Sequence, residues 1–328
     1  MPTLSICYAT FNRLSYLEKS IESLVDNLRS NNLKLEIELV VVDSSDGSSA
    51  AVERLCCKYR NVFNNVIYQW LEPNGTDSAY KSCVSLSNSE YIWFLADDDI
   101  ISDDLRTSLP LIVTSLEKGL SVLMNMSLYS SSLEGELINS LCDCNKSPRK
   151  VSLNSILEYA GNLPSHISFV IFPRDKWRYY ERNFPIFPHL RIAGINLAVA
   201  LEGYIAINSP IVKLRSGMQS WTRYSYNIWY QTWPSLLLYL DCDIKTILNF
   251  DGYKHSQFIR NLLLYKATGS FITSNPCLFE FMPYSHHMLL KIARFLTLNS
   301  CIRISIVLSA FARFPSISLS PLIKQDGI

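Results

Sequence analysis

Four runs of strand-forming residues punctuate the first hundred positions, and a polar turn leads from each into a helix-like stretch. TLSICYA (3–9), LEIELVVVD (35–43), NVIYQWL (65–71) and YIWFLA (91–96) are mostly apolar. Such runs suit strands covered on both faces. Between the first two, LSYLEKSIESLVDNL (14–28) places Leu14, Leu17, Ile21, Leu24, Val25 and Leu28 on one helical face. SSDGSSAAVERLCCKY and NGTDSAYKSCVSLSN supply the caps and bodies of two more helices. Strand and helix alternating at this spacing predict an α/β chain with a parallel sheet flanked by helices.

Ligands of such sheets sit outside the C-terminal strand ends. Polar clusters fall at all four of those ends: Thr10-Phe11-Asn12-Arg13, Asp43-Ser44-Ser45-Asp46, Asn74 to Asp77, and Asp97-Asp98-Asp99. The last is the most demanding, because adjacent carboxylates repel unless a cation lies among them. Aspartates one residue apart at a strand end can share a divalent ion, and oxygen donors suit Mn²⁺ or Mg²⁺, ions that also take diphosphate oxygens. Capping alone is a weaker explanation, since Asp103 and Asp104 already fill the first turn of the next helix.

Further along, a helix is expected over 103–119 with Ser102 as its cap, a strand over 122–130, and a loop over 131–150. SHISFVIFPRDKW (165–177) reads as a strand running into a turn, 190–203 as a short helix, and AINSPIVKLRSG (206–217) as a strand carrying two cations. In the last third, residues 286–314 are apolar with Lys291, Arg294, Arg303 and Arg313 interspersed. That pattern fits either helices packed on the rest of the protein or a basic amphipathic surface lying on a membrane. No uncharged apolar run is long enough for a transmembrane helix.

SICYATFNR, VVVDSSDGS and YIWFLADDD, in this order, resemble the landmarks of family 2 glycosyltransferases, which have the GT-A fold. FPHLRIAGINL (187–197) and SPIVKLRSGMQSWTRYSYNIWYQTWPSLL (209–237) resemble more narrowly the abequosyltransferase-like subgroup, whose members build O-antigen and similar surface polysaccharides. The resemblance implies a GT-A catalytic region over 1–235, with nucleotide-sugar binding in 1–130 and the acceptor side in 131–235, then a helical C-terminal region over 236–328. It implies that Thr10, Asn12, Arg13, Asp43, Asp77 and Asp97 bind the nucleotide sugar, and that Asp99 with Asp97 holds the metal, Mn²⁺ or Mg²⁺. Arg215 and Arg223 can take the departing diphosphate. Gln219, Trp221, Trp229 and Trp233 are candidates for a sugar or acceptor wall, or for ordinary core.

Family 2 enzymes invert the anomeric centre, which needs a base for the acceptor hydroxyl. Many relatives supply an acidic residue from a second-half motif. Here His189 stands at the expected place, and it is equally readable as a packed histidine; Asp98 and Glu181 are the next candidates. The implied reaction is metal-dependent transfer of a deoxy- or dideoxyhexose such as abequose. The donor would be a CDP-, dTDP-, UDP- or GDP-linked sugar, and the acceptor a polyprenyl-diphosphate-linked oligosaccharide. A nucleotidyltransferase would need a glycine-rich phosphate loop, and YATFNRL has no glycine. The remaining alternative is a catalytically weak nucleotide-binding subunit of a polysaccharide assembly complex. A net charge of +1 gives no reason to expect nucleic acid as a partner. Nine cysteines without metal spacing, and an N-terminus without a leader pattern, point to the cytoplasm, with the protein peripheral on the inner face of the membrane.

Overall fold

The apolar runs become strands in the expected order. β1 is Thr3–Thr10, β2 Glu36–Asp43, β3 Asn65–Trp70 and β4 Tyr91–Ala96; α1 (Leu14–Leu28), α2 (Ala50–Lys58) and α3 (Thr76–Leu86) connect them. The structure, a computed structural model, describes residues 3–28, 35–46, 50–130, 132–146, 151–215, 227–249 and 277–278. The chain divides into two compact units, Met1–Ser216 and Gly217–Ile328.

In the first unit β5 (Ile100–Ile101) and α4 (Asp104–Glu117) follow β4. The N-cap position is Asp103 rather than the expected Ser102, although Ser102 Oγ still accepts from the Asp104 amide at 3.2 Å. Then come β6 (Ser121–Tyr129), β7 (Glu136–Ile138), α5 (Leu153–Ala160), β8 (Val170–Pro173), α6 (Arg174–Asn183), α7 (Arg191–Ala200) and β9 (Tyr204–Arg215). They form a nine-stranded sheet in the order β3-β2-β1-β4-β8-β6-β9-β5, with β7 on β6. The first four strands run parallel, and β6 runs parallel to β9. β8 is antiparallel to both its neighbours, β4 and β6.

Two segments differ from expectation. The stretch 131–150 contains β7 and a turn of 3₁₀ helix at Cys144–Lys146. The stretch 165–177 is a 3₁₀ turn (Ile167–Phe169), a four-residue strand and the start of α6. A four-residue strand is too short to show a period, so its place between β4 and β6 is invisible in the sequence.

Leu17, Ile21, Leu24, Val25 and Leu28 of α1 are buried as predicted, while Leu14 is exposed where the helix begins. Behind β4 an aromatic cluster fills the core: the Phe94 ring lies 4.7 Å from Tyr80, 5.1 Å from Phe172 and 6.1 Å from Trp177. At the strand starts, buried Glu38 accepts from Ser5 Oγ (2.7 Å), the Asn88 amide (2.9 Å), Asn65 Nδ2 (2.8 Å) and Asn88 Nδ2 (3.0 Å). This network pins one end of β1–β3. The register does the rest: Thr10 is level with Asp43, Asp43 with Trp70, and Ala9 with Ala96. The turns after these strands therefore open at one rim, where the strand order reverses between β1 and β4.

Candidate functional site

Thr10 ends β1 and donates from Oγ1 to Asp97 Oδ2 at 2.9 Å. Three residues on, Arg13 Nη1 donates to Asp97 Oδ1 at 3.1 Å and to Asp98 Oδ2 at 3.3 Å. Part of the positive charge that the three aspartates demand is thus a guanidinium of the same chain. It does not suffice. Burial pushes the Asp97 carboxyl above its usual range; Arg13 pulls it back, and Asp98 adds to the push. Arg215, at the end of β9, donates from Nε to the Asp98 carbonyl at 3.1 Å and lies with its Cζ 5.1 Å from the Tyr16 ring centre.

Asp99 is held differently. Its amide donates back to Ala96 O at 3.2 Å, a tight turn that tucks its side chain inward. Oδ2 accepts a short 2.5 Å hydrogen bond from Ser168 Oγ, whereas Oδ1 faces His166 Nε2 at 4.0 Å. Burial, then the neighbouring Asp98 charge, hold the Asp99 carboxyl well above the ordinary aspartate value. His166 Nδ1 accepts from the Ser168 amide at 3.3 Å, which leaves the ring hydrogen on Nε2. Burial lowers this imidazole to about 4, against the pull of Asp98. Asp99 is therefore a buried carboxyl group beside a hydroxyl and a neutral ring, with no full cation of its own among the described residues.

The turns after β1 and β2 are laced together. Asn12 adopts a left-handed conformation (φ 55°), which its side chain compensates by bonding across the rim. Its amide donates to Ser45 Oγ at 2.8 Å, Nδ2 donates to Asp46 Oδ2 at 2.8 Å, and Oδ1 accepts from the Asp46 amide at 3.2 Å. Asp43 is fully buried; Oδ1 accepts from the Ser45 amide at 2.9 Å and Oδ2 from Tyr68 OH at 3.4 Å. Trp70 Nε1 donates to Ser45 O at 3.0 Å and completes this floor. Phe11, in the turn after β1, is 49% exposed.

A second cluster lies where α3 starts against α6 and α7. Asp77 is in the first turn of α3; burial raises its carboxyl, while Arg191 and His189 draw it down. His189 adopts φ 65° just before α7. Glu181 is paired with Lys81 at 2.8 Å and Arg191 at 3.5 Å, and these cations outweigh burial and hold it below its usual range. That makes Glu181 a poor base. In the second unit Trp233 is buried, with Trp229 edge-on to it at 6.4 Å, at the start of α8 (Trp233–Tyr239), ahead of α9 (Ile244–Leu248). Gln219, Trp221, Arg223 and 286–314 lie outside the described residues.

The donor set fits a divalent ion of one kind. Among the described residues no group of three His, Cys, Asp or Glu side chains forms a metal cage. Ions of the Mg²⁺ type are instead held by one or two carboxylates plus substrate phosphates. Asp99 offers an oxygen-only, charge-starved carboxylate; both oxygens of Asp97 are already engaged by Thr10 and Arg13.

Of the rim residues expected from the sequence, Thr10 and Arg13 meet Asp97 and Asp98, whereas Asn12 bonds to Ser45 and Asp46 and Asp99 to Ser168. Sequence reasoning missed His166 and Ser168, which arrive through β8 from almost seventy residues downstream. Residues 5–132 match the family "Glycosyl transferase family 2". The matched stretch takes in the rim that carries Thr10, Arg13 and Asp97 to Asp99. An abequosyltransferase (RfbV) of Salmonella typhimurium is 30% identical over 116 residues, 35% of this chain and 32% of that protein. A minor teichoic acid biosynthesis protein (GgaA) of Bacillus subtilis is 34% identical over 108 residues, 32% of this chain and 23% of that one. The matches thus span about a third or less of these relatives' length. Over 89% of both chains the fold superposes on a crystal structure of S. aureus TarS 1–349, with a TM-score of 0.56 at 15% identity. The same protein in complex with UDP-GlcNAc gives 0.55 at 14% identity, over 94% of this chain and 92% of that one. The fold is GT-A.

Proposed function

We propose that the protein transfers a sugar from a nucleoside diphosphate donor to a carbohydrate acceptor. The observation that carries this reading is the buried, charge-starved Asp99 at the rim where β1 and β4 diverge, beside Thr10, Arg13 and Asp97. An acidic, oxygen-lined crevice without a glycine-rich phosphate loop suits a sugar diphosphate brought in with its own cation. Thr10, Asn12 and Arg13 frame the nucleotide pocket. Asp43 works from below by closing the Ser45 turn, and Phe11 offers an exposed ring against which a base can stack. Asp99 would hold Mn²⁺ or Mg²⁺, and Asp97, expected from the sequence to share the ion, would sit beside it bonded to Thr10 and Arg13. Such an ion supplies charge stabilisation for the departing diphosphate.

In the transfer the acceptor oxygen attacks the anomeric carbon, the bond from that carbon to the diphosphate breaks, and the hydroxyl proton passes to a base. His189 is the group we assign to that proton, with Asp77 facing it at the start of α3. Asp98 is less suited, because Arg13 and Arg215 tie down its side chain and its carbonyl. Inversion follows from a single displacement. The abequosyltransferase from Salmonella favours abequose or a similar deoxyhexose as the sugar; a lipid-linked oligosaccharide as acceptor, met at the membrane surface, completes the proposal. Among the described residues no helix is long and apolar enough to cross a membrane.

The test is a thermal-shift panel of UDP, GDP, CDP and dTDP, each with Mn²⁺, Mg²⁺ or EDTA, on wild type and Asp99→Ala. A nucleotide at ~100 times its dissociation constant stabilises by roughly 2.7 kcal/mol. One nucleotide should shift wild type only with metal, and the variant should not respond. If no nucleotide shifts wild type, the proposal fails.

A further inference from the structure

Ser168 gives its carbonyl and its hydroxyl to β4 and the turn after it, and its amide to His166. Its amide donates to His166 Nδ1 at 3.3 Å, and its carbonyl accepts from Trp93 Nε1 at 3.0 Å. Its hydroxyl accepts from the Ala96 amide at 3.1 Å and donates to Asp99 Oδ2 at 2.5 Å. The residue is fully buried, so none of these bonds is shared with solvent. The ladder between β4 and β8 stops at the pair Trp93–Ile171. Past that point Ser168 takes over the backbone's role at Ala96 and, through the same oxygen, fixes the aspartate three residues on.

The donor direction is settled by this arrangement. Because Ser168 Oγ accepts from an amide, its hydrogen goes to Asp99, and that bond fixes Oδ2 in place. Oδ1 is left turned toward His166, yet 4.0 Å from Nε2 is too far for a hydrogen bond. Nor can that nitrogen compete for a metal ion. Its partner Nδ1 is occupied as an acceptor, so Nε2 carries the hydrogen and has no lone pair to give. One oxygen of Asp99 is tied to Ser168, while the other has no hydrogen bond to His166.

We propose that Ser168 is a positioning residue for Asp99: it fixes the carboxylate rotamer so that Oδ1 alone faces the cleft as a divalent-metal ligand. This rests on the sugar-transfer reading and names a further residue on which metal binding depends. His166 bounds the opening on the far side as a neutral donor.

The experiment measures the dissociation constants of UDP, GDP, CDP and dTDP by calorimetry, in Mn²⁺ and in EDTA. Proteins are wild type, Asp99→Asn, Ser168→Ala and Ser168→Cys, with free Mn²⁺ followed by electron paramagnetic resonance. The ratio of the two constants reports metal coupling. A purely structural loss lowers melting temperature and affects both constants alike; loss of positioning lowers the ratio alone. We expect Ser168→Ala to reduce the ratio about tenfold, a 1.4 kcal/mol change, with binding in EDTA unchanged. Ser168→Cys, which keeps a weak donor of similar size, should fall between. Should Ser168→Ala not fold, the cysteine variant decides: a ratio equal to wild type overturns the proposal. A wild-type ratio abolished by Asp99→Asn but untouched by both serine variants overturns it and leaves the sugar-transfer reading standing. A wild-type ratio of one removes both.

Discussion

Asp99→Asn should make the protein more stable and less able to bind. A lone charge in a protein interior costs several kcal/mol even after relaxation. At Asp99 the hydroxyl of Ser168, at 2.5 Å, offsets about 1.5–3 kcal/mol of that. Asparagine keeps the shape and an acceptor for Ser168 while removing the charge and its repulsion by Asp98. The net gain is about 1–2 kcal/mol, or about 2–8 °C in melting temperature for a unit of this size. The pH dependence fixes the cause. Because the folded pKa of Asp99 is raised, wild type loses stability as pH climbs from the unfolded value of 3.8 through the folded one. The variant has no such loss, so the two should melt alike near pH 4 and diverge toward pH 8. Adding Mn²⁺ with the nucleotide that shifts wild type should reverse the order, since only wild type gains the roughly 2.7 kcal/mol of ligand stabilisation. Scanning calorimetry at several pH values reads all of this. A variant that melts below wild type at pH 8 without ligand would mean that Asp99 already has its counter-charge and that no deficit exists there.

Glu38→Ala should cost about 3–5 kcal/mol in urea unfolding, since it strands the donors of Ser5, Asn65 and Asn88 in a buried site. Burial raises the Glu38 carboxyl, but bonds from Asn88, Ser5 and Asn65 hold it below its unfolded value of 4.5. Its contribution is therefore full above that pH and lost as pH falls through the folded value; Glu38→Gln should flatten this part of the acid-unfolding curve. Asn12→Ala should weaken nucleotide binding and cost about 2 kcal/mol, combining left-handed strain with lost cross-rim bonds, whereas Asn12→Gly recovers the strain part in the melting temperature. His189→Gln should lower kcat by about 10²–10⁴ with little change in KM; near wild-type kcat would remove it as the base.

What the sequence made legible was the rim. Strand ends announce themselves by polarity, and Thr10, Arg13 and Asp97 to Asp99 fall together because parallel pairing brings consecutive strand ends level. What it could not convey was who faces whom. Asp43 looks like a cleft carboxylate by position, yet the register with Trp70 and the Ser45 turn buries it, and polarity at a strand end cannot distinguish the two. Nothing in SHISFVIF marks Ser168 as the partner of Asp99. Their meeting depends on a short antiparallel strand inserted between two others, a long-range pairing without local periodicity.

The three aspartates show why that hidden part matters for function. A chain that only needed to neutralise them would have matched each with a cation. Instead Arg13 serves Asp97 and Asp98 together, while Asp99 is given a hydroxyl and a neutral imidazole. The charge deficit is thus concentrated on one carboxylate. A deficit spread evenly would bind cations weakly and anywhere; concentrated on a rigid carboxylate at the crevice, it gives an arriving cation one place to go. The instability this imposes on the protein alone and the affinity it would confer toward a metal-bearing diphosphate are the same interaction free energy, read before and after the cation arrives.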